Sequence, residues 1–160
     1  MVLSASSEAL LQDIITRLRA EFAVKDMGTL RFFLGIDVRR TPHGFLLSQT
    51  KYAEDLLDRA CMTNCKPTAT PIDVKAKLSS ASGTAVRDAS EYRSIAGGLQ
   101  YLTITRPNIA HAVQQACLHM HSPKECHLAL VKRILRYVRG TSELGLHLRA
   151  ATSPVITRLL

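Results

Sequence analysis

Apolar residues near the start of the chain recur with the period of a helix. They occupy every fourth position, at Leu10, Ile14, Leu18 and Phe22. The preceding stretch Ser6-Ser7-Glu8 offers hydroxyls suited to an N-cap and an acid suited to a first helical turn. The pattern therefore predicts an amphipathic helix of about four turns.

The period then changes to two, which is typical of a strand with one buried face. From Leu30 to Val38 apolar residues alternate with others, and Gly35 interrupts this strand as glycines do at bulges or close backbone approaches. The turn residues Pro42-His43-Gly44 lead into the apolar run Phe45-Leu46-Leu47. The two segments are therefore predicted to form a β-hairpin.

A compositional shift separates this region from the second half of the chain. A short helix with Leu56 and Leu57 on its apolar side is predicted first, and prolines and small polar residues follow from 63 to 88. The prolines between Lys66 and Pro71 favour extended backbone. This segment is predicted to be an irregular linker, or a wrap between two lobes.

Helical periodicity dominates from residue 89 onward. One helix is predicted to begin near Asp88–Ser90 and another at Pro107, a favourable first-turn residue. A third is predicted from the cap Ser122-Pro123-Lys124-Glu125 to Arg139, before the natural stop at Gly140. Apolar residues alternate again from Gly145 to Leu148, which indicates one further strand.

The third of these helices has a basic face. On a wheel of 100° per residue, Lys132, Arg136 and Arg139 fall within about 60° of one another, and Arg133 widens that arc. No acid interleaves with them, whereas solvated helix faces commonly alternate in sign. The row is predicted to contact nucleic-acid phosphates, and the alternative interpretation is a solvated helix face.

Composition adds a polyanionic partner to this picture. The 160 residues include 21 Lys and Arg against 13 Asp and Glu, a net charge of +8. Trp is absent and only 5% of residues are aromatic, which argues against a base-stacking platform. No apolar stretch has membrane-spanning length and no signal peptide is evident, so no membrane partner and an intracellular location are expected.

No catalytic constellation is evident in the residues. Polymerases hold two metal ions on paired carboxylates, and no two aspartates are adjacent here. Cys61 and Cys65 have an allowed zinc-ligand spacing, but the downstream His and Cys partners are irregularly placed, so free thiols are favoured. The pair Gly97-Gly98 indicates close helix packing rather than a ligand loop. No catalytic residue, metal ligand or cofactor is predicted for this chain.

A series of short sequence blocks resembles a known protein family when the blocks are taken together, in their order and with their spacing along the chain. The blocks are Phe22–Gly28, Phe32–Val38, Leu47–Tyr52, Cys65–Pro67 with Thr70-Pro71, Tyr92–Thr103, Thr105–Pro107, and Lys132–Tyr137 with Gly140-Thr141. Over residues 1 to about 148 they resemble the Copia-type reverse transcriptase domain of LTR-retrotransposon Pol polyproteins, particularly those of plants.

The resemblance implies an α+β fold in two parts. Residues 1–62 would be the C-terminal part of a polymerase palm, a helix plus a β-hairpin, and 63–88 an irregular linker. Residues 89–148 would be a helical lobe like a thumb or connection, and the tail 149–160 departs from the family. The residues implied to contact nucleic acid are Phe33, Leu34 and Gly35, at the element that grips the primer terminus, together with Arg106, Lys132, Arg133, Arg136 and Arg139.

The family's metal-binding Tyr-Val-Asp-Asp motif aligns immediately before Met1, and the chain has Asn108 where the family usually has aspartate. The resemblance therefore implies a fragment of an RNA-directed DNA polymerase that keeps template–primer gripping elements and is inactive alone, whereas the parent enzyme uses Mg²⁺. Its partners would be an RNA–DNA template–primer duplex, the missing N-terminal palm and fingers, and a ribonuclease H domain. Two alternatives are a stand-alone, sequence-independent nucleic-acid-binding module and a helical protein-interaction scaffold with incidental charge.

Overall fold

Helices and one antiparallel sheet make up the part of the chain that the computed structural model describes, residues 2–73 and 83–150. The helices are α1 (Glu8–Glu21), α2 (Thr50–Arg59), α3 (Ala89–Leu102), α4 (Ala110–Cys117) and α5 (Glu125–Gly140), with a short 3₁₀ helix at Pro107–Ile109. The strands are β1 (Phe32–Phe33), β2 (Ile36–Thr41), β3 (Gly44–Ser48) and β4 (Leu146–Arg149). The predicted α+β class is confirmed. The middle of the predicted linker, 74–82, and the tail from 151 lie outside the described residues.

The first predicted helix forms, but none of its apolar residues is fully buried. Ser7 caps α1, because its Oγ accepts a hydrogen bond from the Leu10 N–H at 3.3 Å. No residue of α1 is buried, and Leu10 is 45% exposed. Within residues 2–73 and 83–150 the stripe is therefore only partly covered, since Ile14 and Leu18 are half-buried. No helix in those ranges is long and apolar enough to cross a membrane.

The segment predicted as one strand from Leu30 to Val38 is a tight hairpin instead. The chain reverses at Leu34 and Gly35, with φ values of 49° and 76°, and Phe33 pairs with Ile36 across the turn. Positive φ at both central positions is the type I′ geometry of two-residue hairpins, which glycine adopts without cost. The alternating pattern also fits two short strands, so it could not reveal the reversal.

The sheet joins distant parts of the chain. Its strand order is β1-β2-β3-β4, with every neighbouring pair antiparallel. The predicted hairpin between β2 and β3 is confirmed, with Thr41 opposite Gly44. The predicted final strand is also confirmed, and β4 pairs with β3 so that Leu146 lies opposite Leu47.

The hydrophobic core lies among α2, α3, α4 and α5. Its largest fully buried apolar side chains are Tyr92, Leu56, Leu57, Leu99, Leu102, Ile109, Ile134, Leu135, Val113, Val131 and Val138. Helix α2 packs against both α3 and α5. The predicted boundary at residue 62 stays a prediction, and α2 makes its core contacts across it.

Gly98 allows α2 and α3 to approach closely. A β-carbon at this position would lie 2.7 Å from Cδ1 of Leu56, whereas one on Gly97 would have no neighbour within 4 Å. The Tyr52 hydroxyl also donates to the Gly98 carbonyl at 3.3 Å. Close helix packing is therefore confirmed at the second glycine of the pair.

Candidate nucleic-acid interface

The basic helix begins two residues later than its cap residues suggested. Lys124 is the N-cap of α5, and its N–H donates to Nδ1 of His127 at 3.0 Å. The preceding chain is held extended, because the Glu125 N–H donates to the Thr84 carbonyl at 3.0 Å and Val86 donates to Pro123 at 3.1 Å. These contacts prevent Ser122 from starting the helix, so the predicted cap was wrong in its position.

His127 is a buried residue in the first turn of α5 that caps the start of the helix. Its side chain is fully buried and stacks on His119, with ring centroids 3.7 Å apart and planes 8° from parallel. Burial lowers the pKa of His127, and His119 and Lys124 add to that effect. The neutral ring accepts at Nδ1, so the proton lies on Nε2. The sequence offered no signal for this role.

The structure brings four of the predicted cations together along α5. The opposite side of the helix is buried in the core through Val131, Ile134, Leu135 and Val138. On the outward side Lys132 and Arg139 are exposed, while Arg133 and Arg136 are half-buried. These four residues, Lys132, Arg133, Arg136 and Arg139, are called the basic row below.

The chain itself covers part of the basic row. Residues 63–73, called the strap below, run along α5 in the opposite direction. Nε of Arg139 donates to the Thr63 carbonyl at 2.7 Å, and Nε of Arg136 donates to the Lys66 carbonyl at 2.7 Å. The sequence left a linker or a wrap open for residues 63–88, and within that segment residues 63–73 lie along α5.

Arg133 and the end of the helix fix the strap further. Nη2 of Arg133 donates to the Thr70 Oγ1 at 2.9 Å, and its Nη1 lies 3.7 Å from the Asp73 carboxylate. A β-carbon on Gly140 would lie 2.9 Å from Cβ of Pro67. The strap is thus packed directly on α5 at this point.

A shallow groove of about 420 Å³ lies beside the strap. Its lining combines three cations of the basic row with one acid and three small or apolar residues: Asp73, Cys126, Ala129, Leu130, Lys132, Arg133 and Arg136. The groove therefore offers positive charge beside apolar surface, which suits a phosphodiester and its sugar.

Arg106 lies apart from this surface. It is only 2% exposed, and its Nη1 and Nη2 donate to the carbonyl and Oγ1 of Thr141 at 2.8 and 2.7 Å. Burial lowers its pKa, but a guanidinium remains charged in proteins. Arg106 therefore ties the start of the 3₁₀ helix to the end of α5, and its contact with nucleic acid stays a prediction. Its partner Thr141 could not be identified from spacing.

The turn Phe33-Leu34-Gly35 is exposed but anchored. Leu34 is 68% exposed, and its carbonyl accepts a hydrogen bond from the Tyr101 hydroxyl of α3. The Tyr101 ring in turn meets Tyr52 edge-on, with centroids 5.1 Å apart. Tyr101 and Tyr52 thus brace the turn against the helices, a contact that neither residue's sequence position revealed.

Acidic side chains of the described residues form ion pairs on separate elements. Asp13 pairs with Arg17 at 2.8 Å and Asp37 with Arg39 at 4.0 Å. Across residues 2–73 and 83–150, no group of three His, Cys, Asp or Glu side chains could hold a metal ion. The carboxylates present there do not fit a two-metal polymerase site, nor do the cysteines and histidines fit a zinc site.

The sequence of the chain is similar to a known protein family and to several known proteins. Residues 1–74 match the family model described as reverse transcriptase (RNA-dependent DNA polymerase). The chain is 47% identical over 148 residues to an uncharacterized mitochondrial protein of Arabidopsis thaliana. It is 44% identical over 149 residues to the retrovirus-related Pol polyprotein from transposon RE1 of the same plant, and 36% identical over 151 residues to that from transposon TNT 1-94 of Nicotiana tabacum.

The coverage of these relatives is uneven. The matches include 92%, 93% and 89% of this chain, in the same order. They span 61% of the mitochondrial protein but only 10% and 11% of the two Pol polyproteins. No solved structure matches the chain.

Proposed function

This chain belongs to the Copia-type reverse transcriptase family of retrotransposon Pol polyproteins, and we propose that it contributes template–primer grip rather than catalysis. The substrate would be an RNA–DNA duplex, recognised through its backbone. Such recognition is independent of base sequence, because phosphates position a protein on a duplex without specifying bases.

The basic row is the observation that most directly supports this proposal. Lys132 and Arg139 are exposed on one face of α5, about 10 Å apart along the helix axis at 1.5 Å per residue. That distance corresponds to about three nucleotides of one strand at 3.4 Å each. The buried side of α5 holds the row rigidly, so the cations can meet successive phosphates without reordering the helix.

The turn at Leu34 would supply a second contact. Phe33 and Leu34 present apolar side chains on a reversal that Tyr101 braces against α3. An apolar wedge of this kind can pack on the sugar or base edge of a primer end without hydrogen-bonding to it. We propose this role for Phe33, Leu34 and Gly35, with glycine allowing the tight reversal.

Catalysis would depend on residues outside this chain. No two aspartates are adjacent in the sequence, and among residues 2–73 and 83–150 no three His, Cys, Asp or Glu side chains could hold a metal ion, so we propose that the chain alone is inactive. A complete polymerase would require a palm and fingers carrying a pair of metal-binding carboxylates, and a ribonuclease H domain would complete the parent protein. These domains are the partners that family membership suggests.

One observation favours the scaffold alternative. Arg133, Arg136 and Arg139 each donate to the strap, so part of their function is to hold the chain's own backbone. If that were their whole function, the charge would be incidental and no salt-dependent binding would follow.

Salt-titrated binding of a labelled RNA–DNA hybrid to the full chain tests the proposal. We expect affinity to fall steeply with salt, and the double substitution Lys132→Ala with Arg136→Ala to reduce the salt slope by up to about two. The circular dichroism spectrum of the double variant should show the same helical content as that of the wild type. The matched control is Arg17→Ala with Lys51→Ala, which removes equal charge from exposed sites on α1 and α2.

The control should bind nearly as the wild type does. Equal losses in both double variants would mean that net charge alone drives binding, and a wild type without salt-dependent binding would exclude the proposal. A separate assay with Mg²⁺, a primed RNA template and deoxynucleotides should show no extension by the chain alone. Template-dependent synthesis there would contradict the proposed absence of catalysis.

A further inference from the structure

The strap contacts the basic row mainly through uncharged groups, so it does not neutralise the positive charge of the row. Arg136 and Arg139 each donate through Nε to a backbone carbonyl, which carries no net charge. Each guanidinium therefore keeps its full positive charge beside the strap. A carboxylate approaches the row at Arg133, where Asp73 is half exposed and 3.7 Å away.

The geometry of these bonds determines which donors remain. A guanidinium can bind a phosphate side-on through Nε and one Nη, or end-on through both Nη groups. The strap occupies Nε of Arg136 and Arg139, and within residues 2–73 and 83–150 their Nη groups have no other partner. Both arginines are consequently left with the end-on pair of donors.

We propose that the strap is a positioning device that presets Arg136 and Arg139 for end-on phosphate binding. This inference rests on the proposed function and adds a specific role for residues 63–73. A free arginine loses rotamer freedom when it binds a phosphate, whereas one already held at Nε has lost most of that freedom on folding. The strap thus improves affinity without itself contacting the nucleic acid.

Arg133 has a different part in this arrangement. Its Nη groups face Thr70 and Asp73 of the strap, and its Nε is buried. It therefore anchors the strap rather than presenting donors outward. Pro67, seated against Gly140, provides the second anchor.

Two substitutions that leave the net charge unchanged should each loosen the strap at one of its two anchors, Arg133 and Pro67. Thr70→Val removes the oxygen that accepts from Arg133 with little change in shape, and Gly140→Ala places a methyl group against Pro67. Neither changes the charge of the protein. The matched controls are Thr16→Val, on exposed α1, and Gly97→Ala, where the added methyl has no neighbour within 4 Å.

The readouts are hybrid binding at fixed salt and the NMR signals of the arginine Nε–H groups. We expect Thr70→Val and Gly140→Ala to weaken binding by about three- to tenfold, since two arginines regain freedom. Their Nε–H protons should also exchange faster with water than those of the wild type. The two controls should match the wild type in both measurements.

The outcomes separate this inference from the proposed function. A wild type that does not bind the hybrid would overturn both. If the wild type binds and the loosened variants bind equally well, the positioning role is wrong and the proposed function stands. Tighter binding by the loosened variants would show that the strap masks the row, which also overturns positioning.

Discussion

The region of α2 to α5 and the region of α1 and the β1–β2 hairpin have similar hydrophobic patterns, but their apolar side chains differ in how far they are buried. In the helical region, periodic residues such as Leu99 and Val131 are fully buried. In the N-terminal region, Leu10 is 45% exposed and Phe32 66% exposed, although their spacing is equally regular. The regular spacing of apolar residues therefore predicts that an element has an apolar face, but it does not show whether another element packs against that face.

The two regions also differ in how they are held. The helical region is stabilised by its own core, whereas the β1–β2 hairpin is attached through the pairing of β2 with β3 and the bond from Tyr101 to Leu34. Function is divided accordingly in our proposal: the rigid helix presents the cations, and the exposed turn presents apolar contact. Stability measurements should show this division.

The largest expected difference comes from equal truncations in the two regions. Leu99→Ala removes a fully buried side chain and should lower the free energy of unfolding by about 2–5 kcal/mol. Leu10→Ala on α1 should change it by no more than about 0.5–1 kcal/mol, because little apolar surface is lost. Urea unfolding of both variants measures this. Similar losses would mean that α1 is packed as firmly as α3.

A second, smaller difference lies within α3 itself. Gly98→Ala brings a methyl group against Leu56 and should cost about 1–3 kcal/mol, as overpacking does. Gly97→Ala should instead stabilise the protein by about 0.5–1 kcal/mol, since alanine is the better helix former and the site is open. The same unfolding experiment applies. A neutral Gly98→Ala would indicate that α2 and α3 can separate without cost.

The sequence predicted elements better than it predicted contacts. Local signals were sufficient for α1, for the β2–β3 hairpin and for the apolar residues of α3, because each depends on neighbours a few positions away. The attachment of Arg106 to Thr141, the bracing of the turn by Tyr101 and the seating of Pro67 on Gly140 link residues far apart in sequence. A single sequence contains no information on such pairings.

The same limit applies to the candidate interface. The helical wheel correctly grouped Lys132, Arg136 and Arg139 on one face, because that grouping follows from helix geometry alone. It could not show that the strap would lie on that face and use Nε of two arginines. The wheel therefore predicted the presence of the cations but not which of their donors remain.

A substitution in the turn between β1 and β2 should increase the stability of the protein. Leu34 adopts φ of 49°, which costs a leucine about 1–2 kcal/mol and an asparagine less. Since Leu34 is 68% exposed, Leu34→Asn loses little burial and creates the Asn-Gly pair preferred in type I′ turns. We expect about 0.5–1 kcal/mol greater stability, with weaker hybrid binding if the side chain contacts the primer. Lower stability would mean that Leu34 packs against a neighbour.

The smallest expected effect is a pH dependence confined to the helical region. Burial, aided by His119 and Lys124, lowers the pKa of His127 below its ordinary value near 6.5. The unfolded chain therefore takes up this proton at a higher pH than the native protein does. The corresponding stability is fully present above about pH 6.5 and is lost as the pH falls below it. Protonation would also convert Nδ1, which accepts from Lys124, into a donor.

Urea midpoints near pH 7.5 and pH 5.5 measure this loss, and His127→Gln should reduce the difference between them because its side chain does not titrate. The histidines that do not contact His127 are common to both proteins, so their contributions cancel in the comparison, whereas His119 loses its stacking partner in the variant. Helix α1 has no histidine and no buried residue, and its amide exchange should respond to acid in the same way in both proteins. An equal pH dependence in wild type and His127→Gln would contradict the role of His127, since acid would then act elsewhere than at the start of α5.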